Sequence, residues 1–218
     1  MIDDNLKSVR RRIAACCERS RRSLDEVKLI AVTKEASTEE ISSVLSLGVK
    51  DIGENRIQDA AIKYGLIGER ASWHMIGHLQ TNKAKDAVRI FSLIHSVDSV
   101  RLAEAIDKEA LKIGKVQDIL VQANVSGEIS KFGMDPDGTA ELIKSISACK
   151  NIRLRGLMTI APESDDPESS RPFFKALREL SGRIGGLPEL SMGMTGDFEV
   201  AIEEGATMVR VGRALFSV

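Results

Sequence analysis

The chain has 218 residues, 43% of them hydrophobic, and its 31 lysines and arginines nearly balance 32 aspartates and glutamates. A chain of this length can bury one good core, so we expect one domain over residues 1–218 instead of two small ones. The balanced charge gives no reason to expect nucleic acid or a membrane surface as a partner. No apolar run is long enough to span a bilayer, and residues 1–20 lack the apolar core of a signal peptide, so a cytoplasmic location is expected.

Cysteine and aromatic content exclude further classes. The three cysteines, Cys16, Cys17 and Cys149, are an odd number without C-x-x-C spacing, which argues against a disulfide framework and a zinc site. We expect buried thiols in a reducing compartment. With a single tryptophan and a single tyrosine, a stacking surface for single-stranded nucleic acid is not expected.

Residues 3–22 are predicted to form an amphipathic helix. Leu6, Val9 and Ile13 follow helical spacing, which continues to the two adjacent cysteines. The other positions interleave arginines with acidic residues, which is typical of a solvated helix face and not of an acid-poor transit peptide or a basic binding patch. We therefore expect residues 1–24 to provide an N-terminal helix that packs on the rest of the domain.

From residue 27 onward, short apolar runs alternate with longer amphipathic segments. Helix starts are predicted at cap residues and prolines, for example at Ser37 or Thr38, at Ser99 and at Asp135. Eight strands alternating with helices in a chain of this length predict a (β/α)8 barrel of the TIM type, with a doubly wound open sheet as the alternative. The predicted strands are 27–33, 51–53, 73–76, 93–96, 118–124, 153–160, 189–192 and 208–211.

The first predicted strand ends at a lysine. Its residues 29–33 are all apolar or β-branched, which indicates a strand buried on both faces. Because strand side chains alternate, Lys34 points the same way as Ile30 and Val32. Such a lysine is either a solvated strand end or a partly desolvated amine that can form a Schiff base, and the local sequence leaves both open.

The loops after the seventh and eighth predicted strands have the composition of a phosphate site. Ser191 and Thr195 provide hydroxyl groups, and glycines 193, 196 and 212 leave backbone N–H groups unobstructed. Either loop alone could simply cap a helix. In a barrel of this type, however, phosphate is often bound by these two loops, so their occurrence together favours a phosphate site.

Arg210 lies between two valines of the eighth predicted strand and must therefore find acceptors inside the protein. Those acceptors could be carboxylates of a structural ion pair or a ligand. Polar or polarisable residues at three other strand ends, Asn55, His74 and Met158, are expected to converge on the same mouth of the barrel.

The histidines do not predict a metal site. His74 and His78 are four residues apart, but the residues between them resemble a strand end turning into a loop, and H-E-x-x-H is absent. We expect His74 to be a hydrogen-bonding residue that lines the mouth and His78 to be a loop residue. His95, in an apolar run, is expected to be a hydrogen-bonded core residue.

Six blocks of sequence resemble the pyridoxal phosphate homeostasis protein family, also called YggS-like. They follow the family order from residue 31 to residue 212, nearly the whole chain. The blocks are Ala31-Val32-Thr33-Lys34, Gly53-Glu54-Asn55-Arg56, Trp73-His74-Met75-Ile76-Gly77-His78-Leu79-Gln80-Thr81-Asn82-Lys83, Gly156-Leu157-Met158-Thr159, Ser191-Met192-Gly193-Met194-Thr195-Gly196-Asp197-Phe198 and Gly205-Ala206-Thr207-Met208-Val209-Arg210-Val211-Gly212.

The resemblance implies a pyridoxal 5′-phosphate protein of fold type III, similar to the N-terminal domain of alanine racemase. It implies that Lys34 forms the Schiff base and that Arg210 lies near the cofactor ring. It also implies phosphate-binding roles for Ser191, Thr195 and Gly212. Asn55, His74 and Met158 then complete the expected cofactor site.

The residues also limit the expected chemistry. An arginine at the pyridine nitrogen leaves that nitrogen unprotonated, so the cofactor is a weak electron sink. A racemase of this fold also needs a second base, commonly a tyrosine from another domain or subunit, and the single tyrosine here is Tyr64 in a predicted helix.

We therefore expect a monomeric protein that holds the cofactor, takes part in vitamin B6 and amino-acid homeostasis and has no significant catalytic activity. Apoenzymes that require the cofactor are the candidate recipients. A racemase-like enzyme of fold type III is the alternative. A weaker one is a barrel enzyme for phosphorylated sugars in which Lys34 is only structural.

Overall fold

Eight parallel strands close into a barrel in the computed structural model, which describes residues 1–128 and 132–217. The strands are β1 (Lys28–Val32), β2 (Asp51–Glu54), β3 (Ser72–Met75), β4 (Leu93–Val97), β5 (Gln117–Gln122), β6 (Ile152–Met158), β7 (Glu189–Ser191) and β8 (Met208–Val211). Each strand pairs with the next, and β8 pairs with β1, which closes the ring. The predicted (β/α)8 barrel is confirmed, and the open-sheet alternative is wrong.

The predicted strands agree with the observed ones to within two residues at every end. The largest differences are at the carboxyl ends of β5 and β6, where regular pairing stops at Gln122 and Met158. Beyond β6, the apolar Ile160 packs at the mouth of the barrel instead of joining the sheet. Hydrophobicity therefore marks burial there, and not strand pairing.

The described residues also form nine α-helices, most of which follow a strand and cover the barrel. They are α1 (Ile2–Arg19), α2 (Thr38–Ser46), α3 (Ile57–Ile67), α4 (Ala84–Ile90), α5 (Val100–Lys112), α6 (Pro136–Ile146), α7 (Arg171–Arg183), α8 (Phe198–Glu203) and α9 (Arg213–Phe216). The caps predicted at Ser37, Ser99 and Asp135 are confirmed, since each side chain accepts a hydrogen bond from the first turn of its helix. None of these helices combines the length and the apolar character needed to cross a bilayer.

Helix α1 packs against α2, α8 and α9 through the predicted apolar face, and this face is buried. Two of its arginines contact α8. Arg12 donates two hydrogen bonds to Glu199, at 3.1 and 2.7 Å, and lies over the Phe198 ring, while Arg19 pairs with Glu203 at 2.8 Å. The charged positions of this helix thus serve partly to dock it on the barrel.

The core has two parts. Most buried apolar residues lie between the sheet and the helices. A smaller cluster is formed by inward-pointing residues of five strands: Ile30, Leu93, Leu120, Met158 and Met208. Buried polar side chains of β3, β4, β7 and β8 occupy other inward positions, so the interior of the barrel is only partly apolar.

Phe174→Ala in α7 tests the packing between the helices and the sheet. This ring is completely buried, and we expect its loss to lower the free energy of unfolding by about 3–5 kcal/mol. Urea denaturation measures the change. The neighbouring Lys175→Ala is the control, because that side chain is 58% exposed and should change stability by less than about 0.5 kcal/mol. A similar small loss in both variants would contradict the packing.

Candidate functional site

A cavity of about 430 Å³ opens at the carboxyl ends of the strands. Because parallel strands of a closed barrel end on one rim, side chains far apart in the sequence meet there. Five of the residues predicted to bind a cofactor line this cavity, namely Lys34, Asn55, Thr195, Arg210 and Gly212. The predicted mouth therefore exists and contains an amine, an arginine, an amide and a hydroxyl group.

Lys34 lies in a turn just beyond β1. The turn is closed by a hydrogen bond from the Ala36 N–H to the Thr33 carbonyl, at 3.0 Å. The Lys34 side chain is half exposed, and its Nζ lies 3.5 Å from the carboxylate of exposed Glu35. As expected from strand alternation, Val32 and Lys34 both face the cavity. The amine is thus accessible to a ligand in the mouth.

Arg210 is buried, with 3% of its surface exposed, and forms part of the cavity wall. Its Nη1 donates to the Ser191 hydroxyl at 2.7 Å, and its Nη2 donates to the Thr159 carbonyl at 2.9 Å. Both acceptors are neutral, and among the described residues no carboxylate pairs with this guanidinium. Burial lowers the pKa of Arg210 to about 10, against the opposing charge of Asp197. The side chain remains charged at neutral pH.

A chain of buried hydrogen bonds continues from Arg210 through the barrel interior. The Ser191 hydroxyl lies 2.9 Å from His95 Nδ1, His95 Nε2 lies 2.9 Å from His74 Nδ1, and His74 Nε2 lies 2.9 Å from Asp51 Oδ1. Asp51 is the first residue of β2, at the opposite end of the barrel from the mouth. The chain therefore connects the two ends of the barrel.

Burial and neighbouring groups shift the pKa values of two members of this chain. Burial, and next the charge of His74, lower the pKa of His95 well below its usual value, so this ring is neutral. Burial acts to raise the pKa of Asp51, but the hydrogen bond and charge of His74 outweigh it, and the pKa is lowered. In neutral His95 one ring nitrogen donates and the other accepts, so this ring can link Ser191 to His74.

Three predicted cofactor residues lie beneath the mouth instead of lining it. The expectation that His74 lines the mouth is wrong: it is 2% exposed and engaged by Asp51 and His95. Ser191 and Met158 are completely buried. Ser191 already serves Arg210 and His95, and Met158 packs in the interior cluster. None of these three side chains lines the cavity.

The loop after β7 needs glycine at position 193. Gly193 has a φ of +90°, and a Cβ there would lie 2.5 Å from the Ala201 Cβ. This close approach to α8 lets the loop turn back toward the mouth, where Thr195 lines the cavity beside Gly212 and the exposed Arg213. The two loops thus contribute a hydroxyl and a second guanidinium at one side of the mouth.

The sequence did not predict that two residues of the rim, His78 and Phe132, contact each other. His78, between β3 and α4, stacks on Phe132, before α6, with ring centroids 3.9 Å apart and 13° between the planes. Both line the cavity. Phe132 is 57% exposed, and no periodic pattern marks it, since it belongs to a loop. Only the meeting of two distant loops reveals this aromatic rim.

Asn55 is held at the rim by a close contact between two loops. A Cβ at Gly77 would lie 2.3 Å from the Asn55 carbonyl oxygen, so only glycine allows the loop after β3 to pass so near the loop after β2. Asn55 and His78 also border a neighbouring cavity of about 520 Å³ between these loops. The amide thus separates two openings on the same face of the barrel.

A family model and a curated relative both match nearly the whole length of the chain. A family model described as the alanine racemase N-terminal domain matches residues 5–218. A relative from Aquifex aeolicus (strain VF5), named pyridoxal phosphate homeostasis protein, is 43% identical over 219 residues, which cover 98% of this chain and 96% of that protein.

Two solved structures are also similar to this chain. PipY of Synechococcus elongatus PCC7942, solved with PLP bound, is 34% identical with a TM-score of 0.84 and full coverage of both chains. An alanine racemase from Clostridium difficile 630 is 16% identical with a TM-score of 0.76, over 99% of this chain and 56% of that one. At this identity the second likeness concerns the fold alone.

The neutral state of His95 predicts a pH-dependent stability. In the unfolded chain a histidine binds a proton near pH 6.5, whereas folded His95, with its lowered pKa, does not. The unfolded state therefore binds more protons below about pH 6.5, and His95 should cost up to about 1.4 kcal/mol of stability per pH unit as the pH falls.

Urea denaturation of the wild type and of His95→Gln between pH 5 and 7 measures this contribution. We expect a shallower loss of stability toward pH 5 in the variant. His78→Gln is the control, because this histidine lies at the rim with its side chain 35% exposed. Equal pH dependence in the wild type and in His95→Gln would contradict the assignment.

Proposed function

The chain belongs to the pyridoxal phosphate homeostasis protein family, and we propose that it holds pyridoxal 5′-phosphate as a Schiff base on Lys34. The observation that carries this proposal is the shared cavity of Lys34 and Arg210. A half-exposed amine meets a buried guanidinium in one opening, and this guanidinium has no carboxylate partner among the described residues. Relatives with the homeostasis name and the structure of PipY with PLP bound support the choice of cofactor.

The residues of the mouth fit the parts of this cofactor. Pyridoxal 5′-phosphate supplies an aldehyde that condenses with a primary amine with loss of water, a pyridine nitrogen and a phosphate group. Lys34 provides the amine. Arg210, fixed by Ser191 and Thr159, can donate to the pyridine nitrogen. Thr195, Gly212 and Arg213, on the other loops, provide a hydroxyl, unobstructed backbone and positive charge for the phosphate.

The other predicted cofactor residues have supporting places in this proposal. Asn55 stands at the rim within reach of a ligand in the cavity. Ser191 and His74 belong to the hydrogen-bonded chain that orients Arg210, and Met158 forms part of the floor. We thus propose direct contacts for the residues that line the cavity and indirect ones for those beneath it.

We propose that holding the cofactor, and not turnover, is the role of this site. A guanidinium donates a hydrogen bond to the pyridine nitrogen without protonating it, so charge built up on a substrate carbon is poorly stabilised. The tyrosine that commonly serves as the second base in a racemase of this fold does not line the mouth. Tyr64 lies in α3 and packs edge-on against Trp73, with ring centroids 5.6 Å apart, and it is the single tyrosine of the chain.

We propose a cytoplasmic, monomeric, single-domain protein that takes part in vitamin B6 and amino-acid homeostasis. The three free cysteines, two of them buried in α1, support a reducing compartment. Apoenzymes that require pyridoxal 5′-phosphate are the proposed recipients, because the accessible Lys34 can release the cofactor by hydrolysis of the Schiff base. The continuous barrel, with α1 packed on it, supports one domain.

Lys34→Ala should abolish the covalent complex. After incubation with pyridoxal 5′-phosphate, the wild type should show a visible absorption band, and borohydride reduction should add one phosphopyridoxyl group to Lys34 by mass spectrometry. Lys85→Ala, an exposed lysine of α4, is the control and should behave like the wild type. Absence of the band in the wild type, or labelling of the Lys34→Ala variant to the same extent, would refute the proposal.

The racemase-like alternative is tested by exchange of the α-proton. The holoprotein is incubated with free amino acids in deuterated water, and deuterium at the α-carbon is followed by NMR. We expect exchange no faster than with free cofactor, because the single tyrosine of the chain does not line the mouth. Robust exchange that depends on Lys34 would make the protein an enzyme and would overturn the proposed holding role.

Thr195→Ala should weaken cofactor binding without unfolding the protein. A hydrogen bond to a charged group contributes about 1.5–3 kcal/mol, and at this open rim we expect the low end, about a tenfold rise in Kd. Thr195→Ser keeps the hydroxyl and is the matched control. Fluorescence titration with pyridoxal 5′-phosphate measures both variants, and an unchanged Kd for Thr195→Ala would exclude Thr195 from the phosphate site.

A further inference from the structure

A buried ion pair lies directly behind the turn that carries Lys34. Glu54, the last residue of β2, is completely buried, and Lys63 of α3 has a side chain that is 14% exposed. Lys63 Nζ lies 2.8 Å from Glu54 Oε1. Neither residue lines the cavity of the mouth, so the pair is not part of the proposed contacts with the cofactor.

Both members of the pair bind the residue before Lys34. The Thr33 hydroxyl donates to Glu54 Oε1 at 2.6 Å, and Lys63 Nζ donates to the Thr33 carbonyl at 2.5 Å. The Thr33 N–H also donates to the Gly53 carbonyl, at 3.0 Å. The backbone and the side chain of Thr33 are therefore fixed from three directions.

This attachment matters because little else fixes Lys34. Beyond Thr33 the chain turns, with the Ala36 N–H returning to the same Thr33 carbonyl that Lys63 binds. The Lys34 side chain forms a 3.5 Å ion pair with exposed Glu35, and such surface pairs contribute little to stability. The backbone position from which the Lys34 side chain extends is thus fixed by Thr33, which is itself held by Lys63 and Glu54.

The pair is poorly suited to stabilising the fold alone. Burying two charges costs several kcal/mol per ion, and replacement by apolar residues is often neutral or stabilising. Here the cost is not fully offset, since Glu54 Oε2 is buried without a hydrogen-bond partner among the described residues. A pair that is imperfect for stability but binds one particular residue at two atoms indicates a positional role.

The geometry also distinguishes the two lysines. The ammonium of Lys63 is occupied by Glu54 and by the Thr33 carbonyl, whereas Lys34 Nζ faces the open mouth. One lysine is thus fixed as a charged donor, and the other remains available for condensation. Reaction between an amine and an aldehyde depends steeply on their relative position, since held reactants gain large effective concentrations.

We propose that Lys63 and Glu54 are positioning residues for Lys34 and act through Thr33. The inference rests on the proposed function, in which Lys34 condenses with pyridoxal 5′-phosphate. The pair fixes the start of the turn so that the Lys34 amine meets the aldehyde of a cofactor whose phosphate is bound by the loops after β7 and β8. Its loss should leave cofactor binding largely intact but reduce the covalent fraction.

The double variant Lys63→Met/Glu54→Gln tests this without leaving an unpaired buried charge. Total bound cofactor is measured by equilibrium dialysis, and covalent cofactor by borohydride reduction and mass spectrometry. At saturating pyridoxal 5′-phosphate we expect at least a tenfold lower ratio of covalent to non-covalent cofactor, with total binding within threefold of the wild type. Lys63→Arg with native Glu54 should recover most of the covalent fraction.

A matched control removes another partly buried ion pair. Arg155→Met/Glu189→Gln eliminates the 3.0 Å pair between β6 and β7, which does not line the mouth, and should leave the ratio unchanged. If the Lys63/Glu54 double variant does not fold, Thr33→Val and Thr33→Ser replace it. Thr33→Val lacks the hydroxyl that Glu54 accepts and should lower the ratio about threefold, whereas Thr33→Ser should not.

The outcomes separate this inference from the proposed function. A wild type that binds no cofactor, or binds it without a bond to Lys34, would refute the proposed function itself. A wild type that condenses on Lys34, together with a double variant that condenses equally well, would overturn the positioning role. The positioning role would also be overturned if covalent binding, total binding and the melting temperature of the double variant all fell together, because that result indicates a structural role only.

Discussion

The buried Arg210 guanidinium is bound by two neutral acceptors in the described part of the chain, and the polar side chains inside the barrel are arranged around it. Removing a charge from water costs several kcal/mol unless polar groups replace the water, and for Arg210 the Ser191 hydroxyl and the Thr159 carbonyl do so. Ser191 can accept from Arg210 while its own hydrogen goes to neutral His95. His74 and Asp51 complete the chain. A chain of polar side chains therefore extends from this guanidinium through the barrel to the Asp51 carboxylate.

Closure of the barrel brings Lys34 and Arg210 to the ends of neighbouring strands. The pairing of β8 with β1 places Arg210 opposite Ile30, and Lys34 follows four residues later on the same rim. The two are held in contrasting ways. Arg210 is buried and fixed through both terminal nitrogens, whereas Lys34 has a half-exposed side chain, paired with exposed Glu35, on a turn that Lys63 binds. This contrast suits a site that orients a cofactor firmly and bonds to it reversibly.

The sequence predicted the parts of the structure that depend on local patterns. Apolar runs of β-branched residues gave strands whose ends agree within two residues, and Ser37, Ser99 and Asp135 cap helices as expected. Loop composition after the last two strands predicted Thr195 and Gly212 at the mouth, and their places near the ends of strands singled out Lys34, Asn55 and Arg210. Each of these residues lies near or beyond the carboxyl end of a strand, so the rule that parallel strands end on one rim locates it.

The tertiary structure decided what depends on depth and on distant neighbours. Alternation along a strand shows which residues point inward but not how far below the rim they lie, because that depends on the stagger of neighbouring strands. His74 was therefore expected at the mouth but lies inside, bound to Asp51 and His95. The Lys63–Glu54 pair behind Thr33 and the His78–Phe132 stack join separate segments. Local sequence thus determined which elements form, whereas barrel closure and stagger determined which side chains meet.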